Sequence, residues 1–262
     1  MKKVTIGHRL FGAAAVVFGL TGFYWRNFNT WQQINALGNV AHREVLACIV
    51  AILEILGGIA IQWEKAASAG AITLGLIYLA FASLWVPFIV ATPLVYDRWG
   101  NFFEQFSLVS GALIVFALSE KSNPKLMRKI ARVGYICFGI CVISFTLEQL
   151  FYLHGTASLV PKWIPPGQMF WSVATTAAFG LAAIALLSGR CAITASRLLT
   201  TMIVVFGLLI WIPAPFAHPH EMISWAANAE NFAIAGSAWI VVDYLNLKVS
   251  PTPAEFREVP WQ

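Results

Sequence analysis

Eight apolar stretches of about twenty residues each constrain this chain more than any other feature. They run approximately 6–25, 43–63, 70–92, 101–118, 130–153, 168–188, 195–214 and 226–245. A helix of about 20 apolar residues crosses a ~30 Å hydrocarbon layer. Inside that layer every backbone N–H and C=O must be bonded within the chain, so only helices and closed barrels can span it. Barrel strands alternate over about ten residues, and these runs are longer and continuously apolar. Composition agrees: 59% of the residues are hydrophobic and 11% charged, whereas soluble domains carry about 25% charge. The expectation is an all-α membrane protein of eight transmembrane helices, with the lipid bilayer as its main partner. The first run follows Met-Lys-Lys as a signal peptide would. It ends in GFYWRNF, without a small-residue cleavage pattern, and is read as retained.

The pI near 9.1 suggests nucleic acid until the basic residues are located. Eight crossings put both termini on one side, and that side receives thirteen of the 17 Lys and Arg residues. The other four are Arg26, Arg43, Arg98 and Lys162. By the positive-inside rule both termini are cytoplasmic. The basicity therefore encodes orientation, and no nucleic-acid partner is expected. Cys48, Cys137 and Cys141 fall within helices and Cys191 in a loop, an arrangement that offers no disulfide framework.

The chain also repeats itself. WVPFIVATP at 85–93 aligns with WIPAPFAHP at 211–219, a shift of 126. The same shift places Trp99 on Trp225, Glu104 on Glu230 and Phe106 on Phe232. Earlier helices match more weakly, as where Phe11-Gly12 aligns with Phe138-Gly139. The implied organisation is a four-helix unit at 1–120, a linker at 121–127, a second four-helix unit at 128–248 and a tail at 249–262. An even number of helices per unit makes the repeats parallel, related by an axis along the membrane normal.

VPKWIPPGQMFW, AAIALL, WIPAPFAHP and NFAIAGSAW in the second unit give the chain a pattern that resembles the DoxX family of bacterial four-helix membrane proteins. The first unit shares mainly its last two helices with that pattern and lacks a counterpart of PKWIPPG. The resemblance implies residence in the bacterial inner membrane. It also implies a place in a redox pathway, with a quinone as ligand and a membrane-associated oxidoreductase as partner. It supplies no catalytic residues.

Site residues must therefore be read from chemistry. An ionised carboxylate at mid-membrane costs at least ~2.5–3.5 kcal/mol on insertion scales, so each one needs a partner, a proton or a task. Glu54 shares a helical face with Ala47, Ala51 and Gly58. Glu104 shares one with Gly100, Ser107 and Gly111, Glu148 with Cys137, Cys141 and Ser144, and Glu230 with Ala226, Ala233 and Ser237. Small-residue faces are those on which membrane helices pack closely, so all four carboxylates are expected to point into the protein. Glu104, Glu148, Glu230 and Asn231 fall towards the non-cytoplasmic end, with His154, His218 and His220 as a candidate entrance. Imidazole and carboxylate suit zinc, iron or copper, but His-Pro-His on a loop lacks the spacing of a helical metal motif. Solvated histidines are the simpler reading. Most of the eleven tryptophans fit an interfacial belt. Three functions stay open: a quinone-linked redox component, a transporter or lipid- or small-solute-binding protein, and a non-catalytic scaffold for a partner oxidoreductase.

Overall fold

The computed structural model describes residues 4–28 and 41–249. Among these residues all regular structure is helical: α1 (Ile6–Trp25), α2 (Arg43–Ile61), α3 (Ala67–Ala91), α4 (Tyr96–Ser119), α5 (Pro124–Phe151), the short α6 (Leu153–Leu159), α7 (Gln168–Ser188), α8 (Ala192–Phe206), a π turn (Gly207–Trp211), the short α9 (Pro213–Ala217) and α10 (Met222–Val249). The tail expected from 249 lies outside the described residues beyond Val249. Six helices, α1 to α5 and α7, and the composite segment Ala192–Ala217 are long and apolar enough to cross a membrane. This is the architecture of a multi-pass membrane protein.

The eighth expected span, 226–245, lies within the 28-residue α10. Helix α10 lies against α1, α8 and α4, and its Ala226, Ala229, Asn231, Ala233, Ser237 and Val241 are all buried. A helix wrapped by its neighbours can carry polar side chains that lipid would reject.

The helix ends differ from expectation where polar residues start a helix early. Helix α5 begins at Pro124, not 130, because the Asn123 side chain accepts the Leu126 N–H and proline suits the first turn. Helix α4 begins at Tyr96, not 101, with Asp97 in its first turn, where an anion complements the helix dipole. At its other end the exposed Glu120 carboxylate accepts the Lys121 and Ser122 N–H groups. These bonds hold its carboxyl below the usual carboxylate range. The stabilisation is therefore present at neutral pH and lost as acid protonates the folded form.

The helices pack in a regular order. Helix α1 runs along α2 and α10, α4 along α3 and α5, α7 along α5 and α8, and α4 touches α10 directly. Glycines make the close approaches. A Cβ at Gly7 would lie 2.9 Å from the Ile240 side chain, and one at Gly134 would lie 2.9 Å from that of Ile114. At the α4–α10 contact Gly111 meets Ser237, where an added Cβ would strike the Ser237 hydroxyl and approach its Cβ to 2.9 Å.

The seventh span, expected as one run from 195 to 214, is broken. Pro213 lacks the N–H a helix needs and crowds the carbonyl four residues back. The chain widens just before it, with Ile212 N–H donating to Gly207 O at 2.7 Å. Pro215 likewise deprives the Trp211 carbonyl of its helical donor, and Asn228 Nδ2 of α10 supplies one at 3.1 Å. Asn231 Nδ2 donates to Ile203 O at 3.0 Å. Asn228→Ala should lower stability by about 1 kcal/mol, the net worth of a hydrogen bond to a half-buried carbonyl. Denaturant unfolding in detergent checks this, and an unchanged midpoint would contradict it.

Three tryptophans have a local task in addition to any interfacial one. Trp99, Trp171 and Trp225 each donate the indole N–H to a proline carbonyl six residues earlier: Pro93 at 3.0 Å, Pro165 at 3.0 Å and Pro219 at 3.2 Å. Each bond ties an incoming loop to the first turns of α4, α7 or α10.

Candidate functional site

Helices α4 and α10 run in the same direction and meet at Gly111 and Ser237. Seven residues before that contact, about two helical turns, stand Glu104 on α4 and Glu230 on α10. Equal offsets from a shared contact bring the two carboxylates to the same level. Glu148 arrives from α5 against Gly100, where a Cβ would overlap its carboxyl group. Glycine at 100 is thus the opening in α4 through which Glu148 enters.

The three acids form one electrostatic unit. The charges acting on Glu104 are those of Glu230, Glu148 and Asp97, and those acting on Glu148 are Asp97 and Glu230. All of them are carboxylates. Arg98, the cation beside Asp97 in sequence, has its guanidinium 5.4 Å from the centre of the Phe88 ring. Like charges gathered in a poorly hydrated interior repel one another. Such a cluster needs protons or a bound cation to persist. All three side chains are half-buried and keep some accessible surface.

The surroundings are rich in acceptors. Gln105 Nε2 donates to Glu230 Oε1 at 2.5 Å, while Gln105 Oε1 is buried and has no donor. The hydroxyl of the fully buried Tyr78, within the field of both Glu54 and Glu230, also lacks a hydrogen-bond partner. Glu54 itself is 1% exposed. The rim is tied down by two tyrosines. Tyr96 Oη donates to Ser144 Oγ at 3.1 Å, and Tyr152 Oη accepts the Asp97 N–H at 3.1 Å.

Of the residues singled out by sequence, Glu104, Glu148 and Glu230 come together, and Glu54 stands beyond Tyr78. The Asn231 amide N–H is occupied by the Ile203 carbonyl. His154, His218 and His220 are exposed. His218 Nδ1 lies 3.5 Å from Glu221 Oε1 on the same loop. Among the described residues no three His, Cys, Asp or Glu side chains are placed to hold a metal ion.

Sequence reading missed Gln105, Tyr78 and Asp97. Gln105 sits about 100° around the helix from Glu104 and so fell outside the face being traced. The repeat carried a signal, since Gln105 aligns with Asn231 and both are buried amides. Tyr78 was hidden as one hydroxyl in an apolar run. Set beside known proteins, the chain matches no protein-family model, no curated protein and no solved structure.

Proposed function

We propose that this chain is an inner-membrane protein of bacteria that binds a small ammonium-bearing solute at Glu104, Glu148 and Glu230 and exchanges it for protons. The observation that carries this reading is the convergence of three carboxylates whose charged neighbours are also acidic. A positively charged donor of several hydrogen bonds balances that charge. On binding, the N–H groups of the ammonium replace carboxylic protons, which leave to water.

The site is formed, on this reading, between two four-helix units, 1–120 and 128–248, related by a twofold axis along the membrane normal and resembling DoxX proteins. Matching contacts support the arrangement: Gly7 faces Ile240 as Gly134 faces Ile114, and Gly111 meets its own counterpart Ser237. The Trp99–Pro93 and Trp225–Pro219 bonds are likewise counterparts. Proline interrupts corresponding helices, at Pro87 within α3 and at Pro213 beyond the π turn. In transporters built from repeats, such paired interruptions point to the binding site. With the Lys- and Arg-rich end cytoplasmic, the carboxylates lie towards the outer leaflet.

A quinone-linked role is the second reading, favoured by the aromatic strip beside Glu104. Trp99 stacks on Phe103 at 19° between ring planes, and Phe102 on Phe106 at 20°. Phe102, Phe103 and Phe106 would flank a flat ring, which when bound would supply two-electron redox chemistry. A quinone would accept hydrogen bonds from carboxyl groups that keep their protons, and a quinol would donate to those that have lost them.

Proton counting separates the two readings. Protein in weakly buffered detergent is titrated with methylammonium and, separately, with sodium chloride as a control. About one proton should leave per methylammonium bound, with none released by sodium. No proton release, together with a stoichiometric quinone in extracts of the purified protein, would replace the first reading with the second.

A further inference from the structure

Helix α5 is longer than a membrane requires. Its 28 residues extend about 42 Å along the axis, against a hydrocarbon layer of ~30 Å. Its neighbour shows where the surplus lies. The Tyr135 hydroxyl donates to the Leu186 carbonyl of α7. Gly139 makes room for Leu187, whose side chain would lie 2.7 Å from an added Cβ. Helix α7 stops one residue later, at Ser188, so the turns of α5 before Tyr135 run on past it. Those turns carry Lys125, Lys129 and Arg132, all exposed. The three cations share one helical face, at spacings of four and three residues. The same face continues through Ile136, Ile140 and Ile143, which are exposed as well. It is an uncovered ridge, cationic for its first turns and apolar thereafter.

On the helix's own account this is a poor place for cations. The start of a helix carries the positive end of its dipole, and α5 has no acidic residue in its first turn to oppose it. Lys125 with Lys129, and Lys129 with Arg132, are like-charge pairs at helical contact spacing, which destabilise a helix. Among the described residues none of the three forms an ion pair or a side-chain hydrogen bond. Orienting a membrane protein requires only an excess of cations on one side. It does not gather them on one face directly above an apolar ridge. An external anion with an apolar body satisfies both halves of that face.

We propose that this face of α5 binds an anionic glycerophospholipid, its phosphate among Lys125, Lys129 and Arg132 and its acyl chains along Ile136, Ile140 and Ile143. Leu187, exposed beside Gly139, extends the apolar wall onto α7. The assignment rests on the membrane-spanning architecture and is independent of the carboxylate cluster. Each Lys or Arg near an anionic headgroup contributes about fivefold in affinity.

The test is native mass spectrometry of the full-length protein, with phosphatidylglycerol or phosphatidylcholine of matched acyl chains added from detergent. The first phosphatidylglycerol should bind at a concentration lower by about tenfold or more than the first phosphatidylcholine. Lys125→Gln/Lys129→Gln/Arg132→Gln should bring the two lipids to within about twofold of each other. Lys125→Arg/Lys129→Arg, which keeps the charge, should keep the preference. So should Lys162→Gln, which removes an exposed cation from the opposite end. Equal binding of the two lipids to the wild type, a comparison that needs no variant to fold, would overturn the proposal. A preference that survives the triple substitution, or one that Lys162→Gln abolishes equally, would also overturn it.

Discussion

Gly111→Val should destabilise the protein by about 3 kcal/mol, the upper part of the range for overpacking a close-packed interior. The reason is what faces the new side chain. Its Cβ would collide with the Ser237 hydroxyl and lie 2.9 Å from the Ser237 Cβ and 3.2 Å from its Cα. A hydroxyl can rotate away, but a helix backbone cannot retreat without parting α4 from α10. Helix α10 is held on its other sides by α1 and α8, so the strain has little room to spread. Ser237→Gly in the same chain should restore part of the loss, because two residues in contact do not contribute independently. Denaturant unfolding of the two single variants and the double variant checks this. Equal and additive effects would mean that the two helices do not meet there.

The Glu104→Gln/Glu230→Gln variant should bind methylammonium at least 100-fold more weakly than the wild type while remaining folded. Hydrogen bonds to charged groups contribute about 1.5–3 kcal/mol each, and two of them amount to roughly two to four decades in affinity. Glutamine keeps the shape and a hydrogen-bonding head but removes the charge, so packing at Gly111 and Ser237 is untouched. Gly100 still admits Glu148, which is left as the one carboxylate of the original three.

Much of this was legible in the sequence, for a physical reason. Lipid leaves a backbone few options, so the apolar runs translated into helices, seven segments of them long and apolar enough to span, and the helix starts moved most where Asn123, Pro124 or Asp97 begin a helix within polar sequence. The break in the seventh span was harder to foresee. Pro213 signals a fault, but the widening at Gly207–Trp211 depends on α10 bringing Asn228 to a carbonyl that Pro215 leaves bare. The short α6 lies between the fifth and sixth apolar runs, where seven residues are too few to show a helical period. At the site, the small-residue faces correctly turned Glu104, Glu148 and Glu230 inward. Asn231 shares that inward placement, and its amide N–H bonds the Ile203 carbonyl. His154 on α6 and His218 and His220 on the loop before α10 are exposed.

The measurement that tests the central claim most directly is infrared difference spectroscopy of the protein in lipid bilayers, between mildly acidic and mildly alkaline buffer, in water and in deuterium oxide. A cluster of carboxylates that exchanges protons for a cation predicts a protonated-carboxyl carbonyl band that shifts in deuterium oxide and disappears when methylammonium is added. That band should be strongly reduced in the Glu104→Gln/Glu230→Gln variant, where Glu148 alone of the three carboxylates remains. A band of the same size in both proteins, or one that methylammonium leaves unchanged, would contradict the account.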